Sequence, residues 1–421
     1  MNRYFVTSIV IALIFTLLIS SCIKHEHDDI NTLPIRSLRV NIDAFSATVI
    51  DPELNIGNAA IYEWSVLEAP SGIYSITGIN DKNLTILTYT TGTFSLKLSA
   101  FKENLSFIRN ITVTVNNPLK TPTPYIAKVI DYSPAPGQFV NKLPEYENGD
   151  TKDIMNSKAE EYLVGKKSGG LLTLGGYGGF IIVGFDHTVV NIKGKRDFRI
   201  MGNAFYADSN PSNGVSRGGS CEPGVIMVAY DANKNGVPDE EEWFEIAGSE
   251  YYKSSTIKDY EITYFRPVSE KSGYVQEKSY STISEYIRWQ DNQGNSGYLE
   301  KNIYHSQSYF PGWIDNNSIK FKGTLLPQNA KDESGDGSYW VLYSYGYGYA
   351  DNVPNNDDDS AIDISWAVNT KGERVNLPGI DFIKIYTGIN QQAGWLGEVS
   401  TEISGIYDLH LAGESIQTTG V

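Results

Sequence analysis

The sequence is poor in cysteine and in positive charge. Its 421 residues include two cysteines, Cys22 and Cys221, and 34 Lys and Arg residues against 50 Asp and Glu residues. The resulting net charge of −16 argues against nucleic-acid binding, which requires a basic surface. Charged residues make up 20% of the chain and hydrophobic residues 41%, so a sizeable core is expected and global disorder is excluded.

The sequence also lacks the recognised catalytic motifs. It contains no Gly-x-Ser-x-Gly elbow, no His-Glu-x-x-His zinc motif and no phosphate-binding P-loop. The five histidines are scattered, and none lies near Cys221 in the sequence. Carboxylates are numerous enough to supply a glycosidase pair, but the separation that defines such a pair is not encoded in any local pattern. We therefore predict a protein that is not an enzyme, with a glycoside-active enzyme as the less favoured alternative.

Residues 1–21 have the character of a secretory signal peptide. Arg3 supplies a positive charge, and residues 6–19 form an apolar run that is too short for a comfortable membrane span. The run ends in Ile19-Ser20-Ser21-Cys22, which resembles a bacterial lipobox. The resemblance implies that Cys22 is lipidated and becomes the mature N-terminus, the alternative being an ordinary signal peptide with a chance cysteine. Lipidation of Cys22 would leave Cys221 without a disulfide partner.

Residues 22–33 are polar and lack periodicity, so we expect them to form a lipidated tether. A lysine followed by an acidic cluster (Lys24, Glu26, Asp28 and Asp29) resembles the lipoprotein export signal of Bacteroidota. This resemblance implies a lipid anchor in the outer membrane with the protein facing the cell exterior. His25 and His27 interrupt the acidic run, and they leave a metal-binding tail as the alternative.

Strand-like segments with period-two alternation dominate the rest of the chain, in agreement with 39 Gly and 28 Tyr residues. Residues 34–117 carry the pattern of a small β-sandwich. Within them, Tyr62-Glu63-Trp64 and residues 90–98 resemble a PKD or immunoglobulin-like module, in which Trp64 is a core residue.

Pro- and Thr-rich residues 118–124 are expected to form a linker. Residues 125–421 are expected to form a larger, jelly-roll-like β-sandwich with long loops, which binds the ligand. Residues 152–168 are the one modest helix candidate. The predicted fold class is therefore all-β.

Residues 231–242 match the calcium-binding loop of EF-hand proteins. Oxygen-bearing side chains occupy loop positions 1, 3, 5, 9 and 12, and a glycine occupies position 6. The predicted calcium ligands are Asp231, Asn233, Asn235, Asp239 and Glu242. Because an apparent strand precedes the loop and Pro238 replaces the usual apolar residue, we expect a structural calcium loop placed between strands. The alternative is a solvated acidic turn.

A second acidic cluster lies within residues 351–363, and it includes Asp351 and Asp363. An exposed loop is the simplest interpretation, with a cation or polar-ligand site as the alternative. Aromatic residues also concentrate in segments that are expected to be loops, where flat rings beside amides and carboxylates suit sugars or a large flat cofactor. The predicted ligand-binding residues are Tyr304, Tyr309, Trp313, Tyr345, Tyr347 and Trp395. A tyrosine-faced strand at residues 343–349 and buried anchors at Trp313 and Trp395 remain open alternatives.

Several segments between residues 125 and 415 resemble a family of Bacteroidota cell-surface lipoproteins with an N-terminal PKD-like module. These segments are residues 175–187, 197–205, 222–224, 243–251 and 394–403. The resemblance implies an accessory protein beside a TonB-dependent outer-membrane transporter, in some cases in loci for uptake of corrinoids such as vitamin B12. It brings no catalytic residues.

These observations lead to one main functional hypothesis. We expect a surface lipoprotein that binds an extracellular nutrient, either a corrinoid or a glycan, and hands it to a TonB-dependent transporter without catalysis. A surface adhesin or structural lipoprotein is the alternative from a different class.

Overall fold

The computed structural model describes residues 31–32, 36–56, 60–207, 217–268 and 280–418, and these fold almost entirely into β-strands. The expected signal peptide, the expected lipidation site Cys22 and most of the expected tether lie outside the described residues. Within the described ranges, no helix has the length and apolar character required to cross a bilayer. The all-β fold class expected from the sequence is confirmed.

The first part of the described chain is a β-sandwich of two small sheets. A five-stranded sheet has the order β1-β8-β7-β4, with β2 also paired to β8, and it packs against a three-stranded sheet with the order β3-β6-β5. The strands are β1 (Asn31–Thr32), β2 (Arg36–Asp43), β3 (Thr48–Ile50), β4 (Ile61–Glu68), β5 (Tyr74–Thr77), β6 (Leu84–Thr88), β7 (Gly92–Lys102) and β8 (Leu105–Asn116). Residues 31–32, expected at the end of the tether, thus pair with β8.

Alternating burial along the strands builds the core of this sandwich. Ile111, Val113 and Val115 of β8 are buried while the residues between them are exposed, because successive side chains point to opposite faces of a strand. Trp64 is 8% exposed, and its indole nitrogen donates to the carbonyl oxygen of Asp81 at 3.0 Å. The expectation that Trp64 is a core residue is confirmed.

Residues 117–124 form neither helix nor strand, and the larger domain follows them. Its first elements are β9 (Lys128–Ser133), α1 (Lys152–Leu163), β10 (Leu172–Thr173), β11 (Phe180–Val190), β12 (Lys195–Arg196), β13 (Phe198–Met201), β14 (Phe205–Tyr206), β15 (Gly218–Ser220), β16 (Gly224–Ala229) and β17 (Trp243–Ile246). They are followed by β18 (Ile257–Phe265), β19 (Ser281–Asp291), β20 (Ser296–Asn302), β21 (Ser318–Leu325), β22 (Ala330–Asp332), β23 (Trp340–Tyr343), β24 (Ala361–Ile362), β25 (Ala367–Val368), β26 (Gly379–Thr387), β27 (Glu402–Ile403), β28 (Gly405–Asp408) and β29 (Ile416–Gln417). Short 3-10 turns cover Glu240–Glu242, Asp358–Ser360, Ile364–Trp366 and Gly394–Leu396.

The centre of the larger domain is an antiparallel sheet of six strands in the order β25-β17-β16-β26-β11-β9. Its two faces are both buried, since neighbouring residues such as Val225 and Ile226 belong to different apolar clusters. On one face, α1 and the sheet β24-β13-β28 cover the core. The sheet β20-β19-β18-β21 encloses a further core that includes the central-sheet residue Phe180 at its edge. The domain is therefore a stack of sheets.

Helix α1 begins where the sequence predicts a helix and ends earlier than predicted. The Thr151 hydroxyl accepts a hydrogen bond from the Ile154 amide, which caps the first turn. Met155, Ala159 and Leu163 lie on its buried face, at the spacing of one side of a helix. Val164 is already extended, so the helix ends at Leu163.

The N-terminal sandwich lies against the larger domain through a small polar and aromatic contact. Phe45 stacks on Tyr89 with 4.7 Å between ring centroids, and both rings contact His187 edge to face. The Tyr89 hydroxyl donates to Asp408 at 2.6 Å and accepts from the Val190 amide at 3.0 Å. These ring contacts and hydrogen bonds hold the N-terminal sandwich against the larger domain, in addition to the connecting segment.

Candidate functional site

The predicted calcium ligands converge in one loop, which connects β16 to β17. The Asp231 carboxylate accepts from the amides of Asn235 and Gly236, at 3.0 and 2.8 Å. Glu242, at the far end of the loop, accepts from the amides of Ala232 at 2.9 Å and Asp239 at 3.1 Å. The carboxylates at both ends of the loop thus face its interior.

The other three predicted ligands, Asn233, Asn235 and Asp239, complete this set of oxygen atoms. The side-chain oxygen of Asn233 accepts from the Asn235 amide, and that of Asn235 accepts from the Val237 amide. Both side-chain amide nitrogens donate to Asp239, at 2.6 and 2.8 Å. Gly236 has a φ of 81°, which a side chain would disfavour and which produces the sharp bend. Hard oxygen donors at this spacing suit Ca²⁺.

A second turn has the same backbone pattern, and the sequence analysis missed it. In residues 332–338, Asp332 accepts from the amide of Gly337 at 2.8 Å, and Asp336 accepts from the amide of Ser338 at 3.0 Å. Gly335 and Gly337 have φ of 73° and 83°, where Lys234 and Gly236 of the first loop have 58° and 81°. The spacing Asp-x-Ser-x-Asp-Gly was a visible signal, but position 12 is Tyr343 rather than glutamate.

Three carboxylates that are far apart in the sequence lie together inside the larger domain. Among the described residues, the group of Asp, Glu, His or Cys side chains whose ligand atoms all lie within 4.8 Å of one another consists of Glu222, Asp351 and Glu402. Asp351 and Glu402 are 4% and 3% exposed. Asp351 was predicted to lie in an exposed loop or a polar site, and neither Glu222 nor Glu402 was predicted to be a site residue.

Hydrogen bonds hold these carboxylates in place. Asp351 accepts from the amides of Asn203 and Ala204, both at 2.8 Å, and from the amide of Glu402 at 2.9 Å. Glu402 accepts from the hydroxyl groups of Ser400 at 2.5 Å and Thr173 at 3.1 Å.

Burial makes ionisation of this cluster costly. Desolvation, together with the neighbouring Asp351, raises the pKa of Glu402 to about 8, and desolvation raises the pKa of Asp351 to about 7. The pKa of Glu222 is also raised, first by burial and then by Glu402 and Asp351. Such a cluster can share protons or hold a cation. Desolvation also raises the pKa of the neighbouring Cys221 thiol, which makes it a poor nucleophile.

Of the six predicted ligand-binding aromatics, Tyr309 is buried, and Trp313, Tyr345 and Tyr347 are partly buried with their rings or hydroxyl groups in contact with other residues. Tyr309 is 1% exposed, and its hydroxyl accepts from the Asn302 amide at 2.9 Å. Trp313 stacks on Tyr132 at 6.1 Å, and Tyr347 packs on Trp366 at 4.8 Å. Partly buried Tyr345 donates to the carbonyl oxygen of Pro327. Trp313 fits the alternative of an anchor packed in the protein, whereas the alternative of a tyrosine-faced strand does not hold for Tyr345 and Tyr347, because β23 ends at Tyr343.

The other two aromatics, Tyr304 and Trp395, are exposed and lie on either side of one side chain. They are 67% and 40% exposed. Asn302 accepts from the Tyr304 amide at 2.9 Å and donates to the Trp395 carbonyl oxygen at 2.6 Å. Trp395 also donates to the carbonyl oxygen of Ser338, in the second turn. Asn302 therefore joins two exposed aromatic residues that are distant in sequence.

A cleft of about 190 Å³ opens at this point. Asn302 lines it together with Trp340, Gln392 and two glycines, and Tyr280 and Glu300 complete its described lining. Gln392 accepts from the Glu300 amide at 2.8 Å and donates to the Tyr298 carbonyl oxygen at 2.9 Å, which fixes its orientation. Neither Trp340 nor Gln392 was predicted to be a site residue, although Gln392 lies three residues before the predicted Trp395.

Comparison with known proteins yields short structural matches. No protein-family model matches the chain, and no curated protein matches it. Solved structures that are similar include the PKD domain of KIAA 1837 protein, at 19% identity and a TM-score of 0.17, covering 22% of this chain and 90% of that one. The PKD domain of human KIAA0319 has 17% identity and a TM-score of 0.19, covering 24% and 97%. A Photobacterium 2,6-sialyltransferase has 12% identity and a TM-score of 0.17, covering 26% and 22%.

Proposed function

We propose that this protein is a non-catalytic binding protein of the cell surface, which captures a nutrient from outside the cell. The observation that carries the proposal is the cleft beside Asn302, where Tyr304 and Trp395 remain exposed although most aromatic rings of the domain are packed. Exposed rings next to fixed amide groups are typical of sites that bind a ligand by stacking and directional hydrogen bonds.

The cellular context of the proposal comes from the sequence. The lipobox-like segment ending at Cys22 supports a lipid anchor, and the acidic stretch behind it supports the outer face of the outer membrane in Bacteroidota. The segments that resemble lipoproteins of transporter loci support a TonB-dependent transporter as the partner that receives the nutrient. The resemblance suggests a corrinoid as the ligand, and the aromatic residues beside amides and carboxylates suggest a glycan.

Calcium has a structural role in this proposal. The five oxygen-bearing side chains of residues 231–242 face one loop interior, so a bound Ca²⁺ would cross-link the connection between β16 and β17. These two strands belong to the central sheet, and the loop contacts the N-terminal sandwich where the Lys234 amine lies 3.3 Å from the Ser46 hydroxyl. The ion would therefore stabilise the loop and the sheet edge rather than take part in a reaction.

Thermal melting of the purified full-length chain in detergent tests the proposal. Cobalamin and a panel of glycans are added separately, and a ligand at a hundred times its dissociation constant is expected to add about 2.7 kcal/mol of stability. Tyr304→Ala is expected to abolish the shift. Tyr252→Ala is the matched control, because Tyr252 is 65% exposed, compared with 67% for Tyr304, and its hydroxyl donates to the carbonyl oxygen of Gly372, whereas Tyr304 is joined to Asn302. Absence of any ligand-dependent shift would favour the adhesin.

A further inference from the structure

The described part of the cleft beside Asn302 offers neutral and acidic groups. Among its described lining residues, none is Lys, Arg or His. Asn302 and Gln392 supply amide groups, Glu300 supplies a carboxylate, and Tyr280 and Trp340 supply aromatic rings. Phosphate or carboxylate groups are bound in proteins mainly by basic side chains or by helix N-termini. An anionic ligand is therefore disfavoured here.

The size of the cleft limits what can enter it. Pockets for drug-sized ligands enclose about 300–1,000 Å³, whereas this cleft has about 190 Å³. Liquid water takes about 30 Å³ per molecule, so the cleft corresponds to about six waters, roughly the volume that a single sugar ring displaces. A corrin macrocycle is several times larger and would touch only the rim.

The shape of the cleft depends on a close approach between Gly394 and Trp340. A Cβ atom on Gly394 would lie 2.2 Å from the indole nitrogen of Trp340, and Gly394 has a φ of 54°. The Trp340 indole N–H has no hydrogen-bond partner among the described residues. A buried donor without an acceptor is unfavourable, and an oxygen atom of a ligand or of water that reaches it would remove that cost.

The arrangement of donors distinguishes between two neutral or cationic ligand classes. Aromatic rings beside a carboxylate suit a quaternary ammonium ion as well as a sugar. However, the Asn302 and Gln392 side chains each donate one N–H to the protein and keep a second one, among the described contacts. Amide and indole N–H groups require an acceptor such as a hydroxyl oxygen, which an alkylammonium ion lacks.

We propose that this cleft binds one neutral pyranose ring, such as the terminal unit of a glycan. The inference rests on the proposed capture function and names its ligand class. The ring lies with its C–H face toward the aromatic side chains, and its hydroxyl groups exchange hydrogen bonds with Asn302, Gln392 and Glu300. Trp395 lies in the chain between the two lining glycines, Gly394 and Gly397, and its carbonyl oxygen accepts from Asn302.

Isothermal titration calorimetry of the full-length chain tests the proposal. The probes are the methyl pyranosides of glucose, galactose, mannose, fucose, rhamnose and xylose, with methyl glucuronoside, tetramethylammonium and cobalamin as comparison ligands. We expect at least one neutral pyranoside to bind in the millimolar range, as is reasonable for so small a ligand. Trp395→Ala should weaken binding by about ten-fold or more, and Tyr252→Ala should leave it unchanged.

A second variant, Glu300→Gln, keeps the shape of the cleft and removes its charge. Pyranoside binding should fall by about ten-fold or less, since the amide still accepts and donates hydrogen bonds. Glu161→Gln, on the exposed side of α1, is its control. If tetramethylammonium or cobalamin binds in a Trp395-dependent way and no pyranoside does, the sugar proposal is overturned while the capture function stands. If no probe binds, both are overturned.

Discussion

The buried carboxylate cluster makes the stability of the larger domain depend on pH, and Glu402→Gln tests this directly. Glu402 is 3% exposed, and its pKa is raised from 4.5 to about 8. A carboxyl group with a higher pKa in the folded state binds its proton more tightly when the protein is folded. Its contribution to stability is complete below the unfolded pKa and is lost as the pH rises through the folded pKa.

The magnitude follows from the size of this window. For one such carboxyl group, each unit by which the pH rises between about 4.5 and 8 lowers the free energy of unfolding by about 1.4 kcal/mol. Glutamine has nearly the same shape, and its side-chain oxygen still accepts from the hydroxyl groups of Ser400 and Thr173. As the pH rises from 5.5 to 7.5, the free energy of unfolding of the variant should therefore fall by about 3 kcal/mol less than that of the wild type.

Melting temperatures in EDTA at intervals across this pH range measure the effect. At about 2.1 cal/mol/K of unfolding entropy per residue, one kcal/mol corresponds to about 1.6 °C in a domain of roughly 300 residues, so the melting temperatures of the two proteins should diverge by about 5 °C. Glu161→Gln, which removes an exposed carboxylate, should keep the wild-type slope. An unchanged pH slope in Glu402→Gln would refute the assignment of the raised pKa to this cluster.

Three further changes probe other parts of the molecule. We expect calcium to raise the melting temperature of the wild type. Glu242→Gln should abolish this rise, whereas Glu240→Gln should keep it. An equal response of both variants would contradict the calcium loop. Tyr89→Phe removes a hydroxyl that lies within hydrogen-bond distance of Asp408, the Thr188 carbonyl oxygen and the Val190 amide. It should lower the free energy of unfolding by about 1–3 kcal/mol, measured by chemical denaturation, and no loss would mean that the two parts are not held there. Gly394→Ala places a Cβ atom against Trp340 and should weaken ligand binding in calorimetry by about ten-fold, so unaltered affinity would argue against this cleft.

Features that depend on neighbours in the sequence were predictable. The alternation of buried and exposed residues in β8 gave the sandwich, because a strand places successive side chains on opposite faces. The loop of residues 231–242 was recognisable because all of its predicted oxygen ligands come from one short segment. Its hydrogen bonds follow from the spacing of those ligands and from Gly236.

Features that depend on tertiary contacts were not predictable in this way. Glu222, Asp351 and Glu402 meet only because β27 and the segments before β16 and after β23 converge, and nothing in their local sequence indicates burial. Tyr309 has the same loop-like surroundings as Tyr304 in the sequence, yet it is 1% exposed and Tyr304 is 67% exposed. Aromatic density predicts that rings are present, but the packing decides which of them are available to a ligand.

The central claim is capture of a ligand at the cleft beside Asn302 without turnover. The most direct test is equilibrium dialysis of a glycan that binds the protein. The wild type and Tyr304→Ala are dialysed separately with it, and the recovered glycan is then analysed by chromatography. We predict that the wild type retains the glycan, that the variant does not, and that the glycan is recovered intact. Equal retention by both proteins, or recovery of a cleaved glycan, would contradict the account.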